Sequence, residues 1–75
     1  MRQPIIYQIR VQEQLDDQWA EWFFPLVIHN EASGEATLTG PVRDQAELFG
    51  LLTKVRDLNL TLVAIHRLDV GWKPD

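Results

Sequence analysis

Apolar and polar positions alternate cleanly from Ile5 to Gln12. Ile5, Tyr7, Ile9 and Val11 point one way, and Ile6, Gln8, Arg10 and Gln12 the other. That period predicts a half-buried strand, with Pro4 at a position where a strand can begin. The period changes over Leu15–Phe24. Leu15, Trp19, Trp22 and Phe23 are spaced as on one face of a helix of about two turns. Asp16 or Asp17 can cap it, and Pro25 ends it, because the residue before proline avoids helical angles. Leu26–Asn30 and Glu35–Thr39 alternate again around Glu31-Ala32-Ser33-Gly34, a turn in which Gly34 is free to take positive φ. Those two strands are expected to form a hairpin.

The stretch Gly40–Ile65 is patterned most tightly. Asp44 can accept from a backbone N–H in the first turn of a helix, and Glu47 can reach back, as in a capping box. Leu48, Leu51, Leu52, Val55 and Leu58 recur at helical spacing, and Phe49 widens the stripe. Lys54 and Arg56 suit the negative end, and Asn59 suits a left-handed stop. Leu60–Leu68 reads as a last strand. It is apolar on both faces: Leu60, Leu62 and Ala64 on one side, Val63 and Ile65 on the other. That predicts burial on both.

The order β-α-β-β-α-β predicts an α+β fold of the ferredoxin-like, split βαβ kind. It would be a four-stranded antiparallel sheet with a short first helix and a long second helix on one face. Residues 1–69 are expected to form the single domain, and 70–75, with Trp72 and Pro74, an irregular tail. If the helices cover Ile5, Tyr7, Ile9, Val11, Leu26, Ile28 and Leu38, the other face carries an apolar centre of Ile6, Val27, Val63 and Ile65. Gln8, Arg10, His29, Thr37, Thr39 and Arg67 edge it. Ile6, Val27, Val63, Ile65 and Arg67 are therefore the candidate interface. The bland alternative is a solvated face whose β-branched residues simply suit strands.

Size sharpens that expectation. A chain of 75 residues buries only about 60% of the surface its unfolded form exposes, so association with a second copy would add stability. There is no cysteine to form a disulfide. A net charge of −4 argues against phosphate backbones as partners, so nucleic acid is not expected. No apolar run reaches the length of a membrane span, and the N-terminus lacks the apolar core of a signal peptide. The compartment read from these features is cytoplasmic.

Two segments carry a family likeness. L-D-D-Q-W-A-E-W-F at Leu15–Phe23 and G-P-V-R-D-Q-A-E-L-F-G-L-L-T-K-V-R-D-L at Gly40–Leu58 resemble a family of small, uncharacterised bacterial proteins. The likeness runs from Tyr7 to Arg67. It departs at Pro25, where such proteins often carry glycine. It implies a shared fold and transfers no catalytic or binding residue.

Candidate chemistry is sparse. His29 and His66 could form a metal or acid–base pair, but neither spacing suits zinc and no third strong ligand is near. Asp16 and Asp17 read as a cap, because neighbouring residues on a helix do not face each other. Trp19, Trp22 and Phe23 read as core before they read as a ligand pocket. Gly50, in mid-helix, suggests close approach by another group, with Trp19 or Trp22 as the candidate neighbour; a tolerated exposed glycine is the alternative. Ser33 lies in a plain turn. No catalytic, metal-binding or cofactor-binding residue is assigned. The expected role is a non-enzymatic interaction or accessory module that forms a homodimer, or joins another protein, through its sheet. The alternative is a small-ligand-binding or enzymatic ferredoxin-like dimer, which needs a cavity beside Tyr7, Trp19 and Trp22 with His29 or His66 turned into it.

Overall fold

A computed structural model describes residues 5–68; the expected tail at 70–75 lies outside the described residues. Four strands form one antiparallel sheet: β1 (Ile5–Val11), β2 (Val27–Asn30), β3 (Ala36–Val42) and β4 (Leu62–Leu68), in the order β2-β3-β1-β4. A 3₁₀ turn at Asp17–Trp19 runs into a one-turn helix α1 (Ala20–Phe23), and α2 spans Gln45–Asp57. The fold is therefore α+β, with two helices and a four-stranded antiparallel sheet.

The α2 helix forms where its caps and stripe direct. Asp44 has an extended backbone, and its carboxylate accepts from the Glu47 N–H at 2.8 Å. Glu47 reaches back to the N–H of Arg43 at 2.7 Å, one residue earlier than in a standard capping box. At the other end Asn59 takes φ +60°. The Asn59 N–H then donates to the Arg56 carbonyl and the Leu60 N–H to the Val55 carbonyl. These two bonds make a Schellman stop. Leu48, Leu51 and Val55 are buried, and Leu52 and Leu58 pack at their margin. Phe49 does not widen the stripe. One residue on from Leu48, it is turned away by about 100° and is exposed.

The first helix is shorter than its spacing predicts. Neither Asp16 nor Asp17 caps through its side chain; the Asp16 carbonyl accepts from the Trp19 N–H instead. The side chain of Asn30, which carried no sequence signal, anchors the connection. Its amide accepts from the Leu15 N–H and donates to the Leu15 carbonyl, both at 2.8 Å. This ring of two bonds fixes the backbone at the buried Leu15, just ahead of the uncapped turn. Phe23 is fully buried, whereas Trp22 is half-exposed, so only part of the aromatic stripe is core. Phe24 leaves the helix with ψ +135° before a cis bond to Pro25.

The hairpin turn closes through Gly34, at φ +99°. β3 then continues through Gly40 and Pro41. Beyond Thr39 it pairs with β1 but no longer with β2, which is a position that tolerates proline. Gly40 is the glycine of close approach. A Cβ there would stand 2.8 Å from the Leu26 Cα and 3.1 Å from the Pro25 carbonyl oxygen. A Cβ on Gly50 would meet nothing within 4 Å, so the close contact expected at Gly50 is absent.

The core is the helix-side face of β1 and β3, with Phe23 and α2 above it. Ile9, Val11, Leu38 and Val42 are essentially inaccessible there. α1 packs on β2 and α2 on β3. β4 is left outside this roof. Among the described residues it pairs only with β1. None of its seven residues is buried, and all but Ala64 are exposed. The expectation that this strand is buried on both faces is therefore corrected. Apolar residues of both parities here mark an edge strand, not a central one.

Candidate interaction surface

Register decides what each sheet face presents. Ile65 stands opposite Ile9 and Arg67 opposite Tyr7, which places both on the helix-side face. Ala64, His66 and Leu68 stand opposite Arg10, Gln8 and Ile6 and share the open face. A bulge intervenes, because Arg10 pairs with Ala64 while Val11 pairs with Leu62, leaving Val63 as the extra residue. The expected grouping of Ile65 and Arg67 with Ile6 and Val27 on the open face is thus corrected. A strand apolar at both parities carries no phase, so a shift of one residue could not be seen in advance.

The open face is polar at its centre. Gln8 lies against Thr39, and Arg10 against Thr37. Gln8 donates weakly to the Thr39 hydroxyl. The Arg10 guanidinium bridges Glu31 and Glu35, bonding Glu31 through two nitrogens and Glu35 at 3.0 Å. The bond from Arg10 holds the Glu31 carboxyl below its ordinary range. Glu31, then Glu35, raise Arg10 in turn. His29 and His66 are both exposed on this face. Its apolar part is confined to one end, where Ile6 lies between Pro41 and Leu68, with Val27 one strand further on.

The helix-side face behaves differently. On β4, Leu62 is 45% exposed, Val63 46% and Ile65 36%. Phe49 and Leu52 of α2 project from the helix flank opposite to the one that carries Glu47 and Lys54, as helical spacing requires. An apolar strip along β4 is thus left beyond the roof, and it contains no acidic side chain. The strip is held in place at its start by Glu13. Its carboxylate accepts from both the N–H and the hydroxyl of Thr61, and the backbone bond above all lowers its pKa.

A second surface lies at the far side of α2. A cavity of about 260 Å³ is lined by Phe24, Pro25, Leu26, Pro41, Gly50 and Leu51, with Glu47 and Lys54 adding charge. Lys54 donates to the Trp22 carbonyl at 2.7 Å and lies 5.9 Å from the centre of the Trp22 ring. Trp22 in turn meets Trp19 edge-on. Tyr7, Trp19, His29 and His66 do not line this cavity, so it is not the cleft that a ligand-binding role was expected to need. Sequence reasoning missed it. Its only signal was Gly50, whose missing side chain leaves the space open. Among the described residues no group of three or more His, Asp or Glu side chains gathers to hold a metal ion. No helix there is long and apolar enough to cross a membrane.

Residues 6–66 match the model of a family described as a domain of unknown function, DUF8691. The chain belongs to that family. No curated protein and no solved structure matches it. The matched range takes in the whole cavity lining and β4 as far as His66.

Proposed function

We propose that this domain is a non-enzymatic protein–protein interaction module that self-associates through the edge of its sheet. The observation that carries this reading is β4: seven residues long, at the sheet edge, with Leu62, Val63, Ile65 and Leu68 all substantially exposed. Long apolar edge strands template pairing with another strand unless they are covered. A second copy is a fitting cover. If two β4 strands pair antiparallel about Ile65, Ile65 meets its own copy and His66 meets Ala64, with no two like charges opposed. The expected interface is then Val63, Ile65 and Arg67 at the strand. Ile6 and Val27 belong to the separate apolar end of the open face.

The finer fold reading forms part of the proposal. β3 lies between β1 and β2, and β1 lies between β3 and β4, an arrangement that supports the split βαβ, ferredoxin-like plan. A cytoplasmic setting rests on composition alone. The test is sedimentation of wild type and Ile65→Asp at tens of micromolar. The wild type should sediment as a species larger than the monomer, and the variant should associate at least tenfold more weakly. A monomeric wild type, or an unchanged variant, would sink the β4 contact.

A further inference from the structure

Phe24 is 80% exposed, more than any other large apolar residue among those described. It sits on the rim of the cavity at Gly50. An aromatic ring held in water beside an apolar cavity is a self-complementary pair, because a two-fold axis between two copies sets each ring over the other's cavity. We propose that this groove is a receptor for Phe24 of a second copy, exchanged reciprocally. The contact is distinct from β4 and goes beyond it.

Three observations converge on this occupant. The first is volume. An apolar cavity of roughly 150 Å³ admits benzene, and this one, at about 260 Å³, has room for a phenyl ring. The second is the floor. Nothing lies within 4 Å of where a Gly50 Cβ would be, so the helix backbone is open to close approach, and Pro25, Leu26, Pro41 and Leu51 supply apolar walls. The third is charge. Glu47 and Lys54 also line the groove and lie two turns apart on one flank of α2, about 10 Å along the axis. Gly50 and Leu51 fall midway between them. Glu47 already holds Arg43, and Lys54 the Trp22 carbonyl; two α2 helices crossing antiparallel at that midpoint set Glu47 of each copy toward Lys54 of the other, so opposite rather than like charges meet on both sides of the axis.

The contact and the β4 edge lie on opposite sides of the domain, so they can be broken separately. Sedimentation equilibrium on wild type, on Ile65→Asp and Phe24→Ser alone, and on Ile65→Asp combined with Phe24→Ser or with Gly50→Leu, is the decisive set. Gly50→Leu fills the groove while leaving Phe24 in the sequence and replaces a poor helix former with a good one, so its melting temperature should not fall. It therefore decides the matter even where Phe24→Ser perturbs folding. Ile65→Asp should still associate, and each second substitution should weaken that association at least tenfold. An Ile65→Asp variant that is wholly monomeric overturns the exchange while leaving the β4 contact standing. Association that survives both Phe24→Ser and Gly50→Leu also overturns it. If Ile65→Asp behaves as wild type and Phe24→Ser alone dissociates the protein, the exchange stands and the β4 contact fails.

Discussion

The two halves of the sheet use similar residues to opposite ends. Over β2 and β3 the helices form a roof, and Phe23, Leu26, Leu38 and Val42 are all but inaccessible beneath it. Gly40 has no side chain, and that lets the Pro25–Leu26 backbone settle directly on β3. At the other edge, β4 carries an equally apolar run, Leu62-Val63-Ala64-Ile65, yet all of it but Ala64 is exposed. The difference is not composition but reach. α1 has a single turn, and α2 lies over β3 rather than β4. The stability of the domain is concentrated on one side, and its capacity for contact on the other.

That contrast can be broken most severely at Phe23. Phe23→Ala should cost about 3–5 kcal/mol, because a fully buried ring leaves a cavity. In a domain of this size that approaches the whole stability, and urea denaturation would show it. A loss under about 1 kcal/mol would mean that the roofed half is not where stability resides. Gly40→Ala should follow at about 1–3 kcal/mol, since its new methyl group meets backbone rather than a yielding side chain. Asn30→Ala removes both bonds to Leu15 and should cost about 1–3 kcal/mol in the same assay.

At the open edge the expected stability effects are smaller. Ile65→Asp should lower the unfolding free energy of the monomer by about 1–2 kcal/mol, because Ile65 is partly covered beside Ile9, while weakening the β4 contact at least tenfold. A collapse of the fold would show that β4 is core after all. The smallest effect is on pH dependence. The carboxyls of Glu31 and Glu13 both titrate below their ordinary value of 4.5 in the folded chain. Their contribution is therefore present above that value and lost as pH falls through the lower folded values. Glu31→Gln and Glu13→Gln should each flatten the acid side of the stability profile, slightly, because both groups are only half-buried and water screens their charge. An equal loss at neutral and acid pH would show that neither carboxylate is bound by its charge.

Legibility in the sequence followed the range of the interactions. α2 was readable almost to the residue, from the Asp44 cap to the left-handed Asn59. The hairpin, with Gly34 in its turn, was readable for the same reason. The one-turn α1 was not, because no side chain caps it and the segment leading into it is held by Asn30, a residue on another strand. Gly50 and Gly40 were interchangeable as signals of close approach until Leu26 was placed beside one of them. The face of Ile65 and Arg67 is not legible, since the unbroken apolar run Leu62-Val63-Ala64-Ile65 leaves the strand without a phase.

The sequence by itself determined which segments are strands and helices, and where the long helix starts and stops. Those features rest on bonds between residues three to five apart and on the angles that Gly34, Asn59 and Pro25 favour. Only the tertiary structure decided that β4 is an edge, that Gly40 is the point of contact, and that a groove opens at Gly50. Strand neighbours, register and the reach of a roof depend on contacts between residues far apart in the chain, and no local pattern encodes which of two apolar surfaces will be covered.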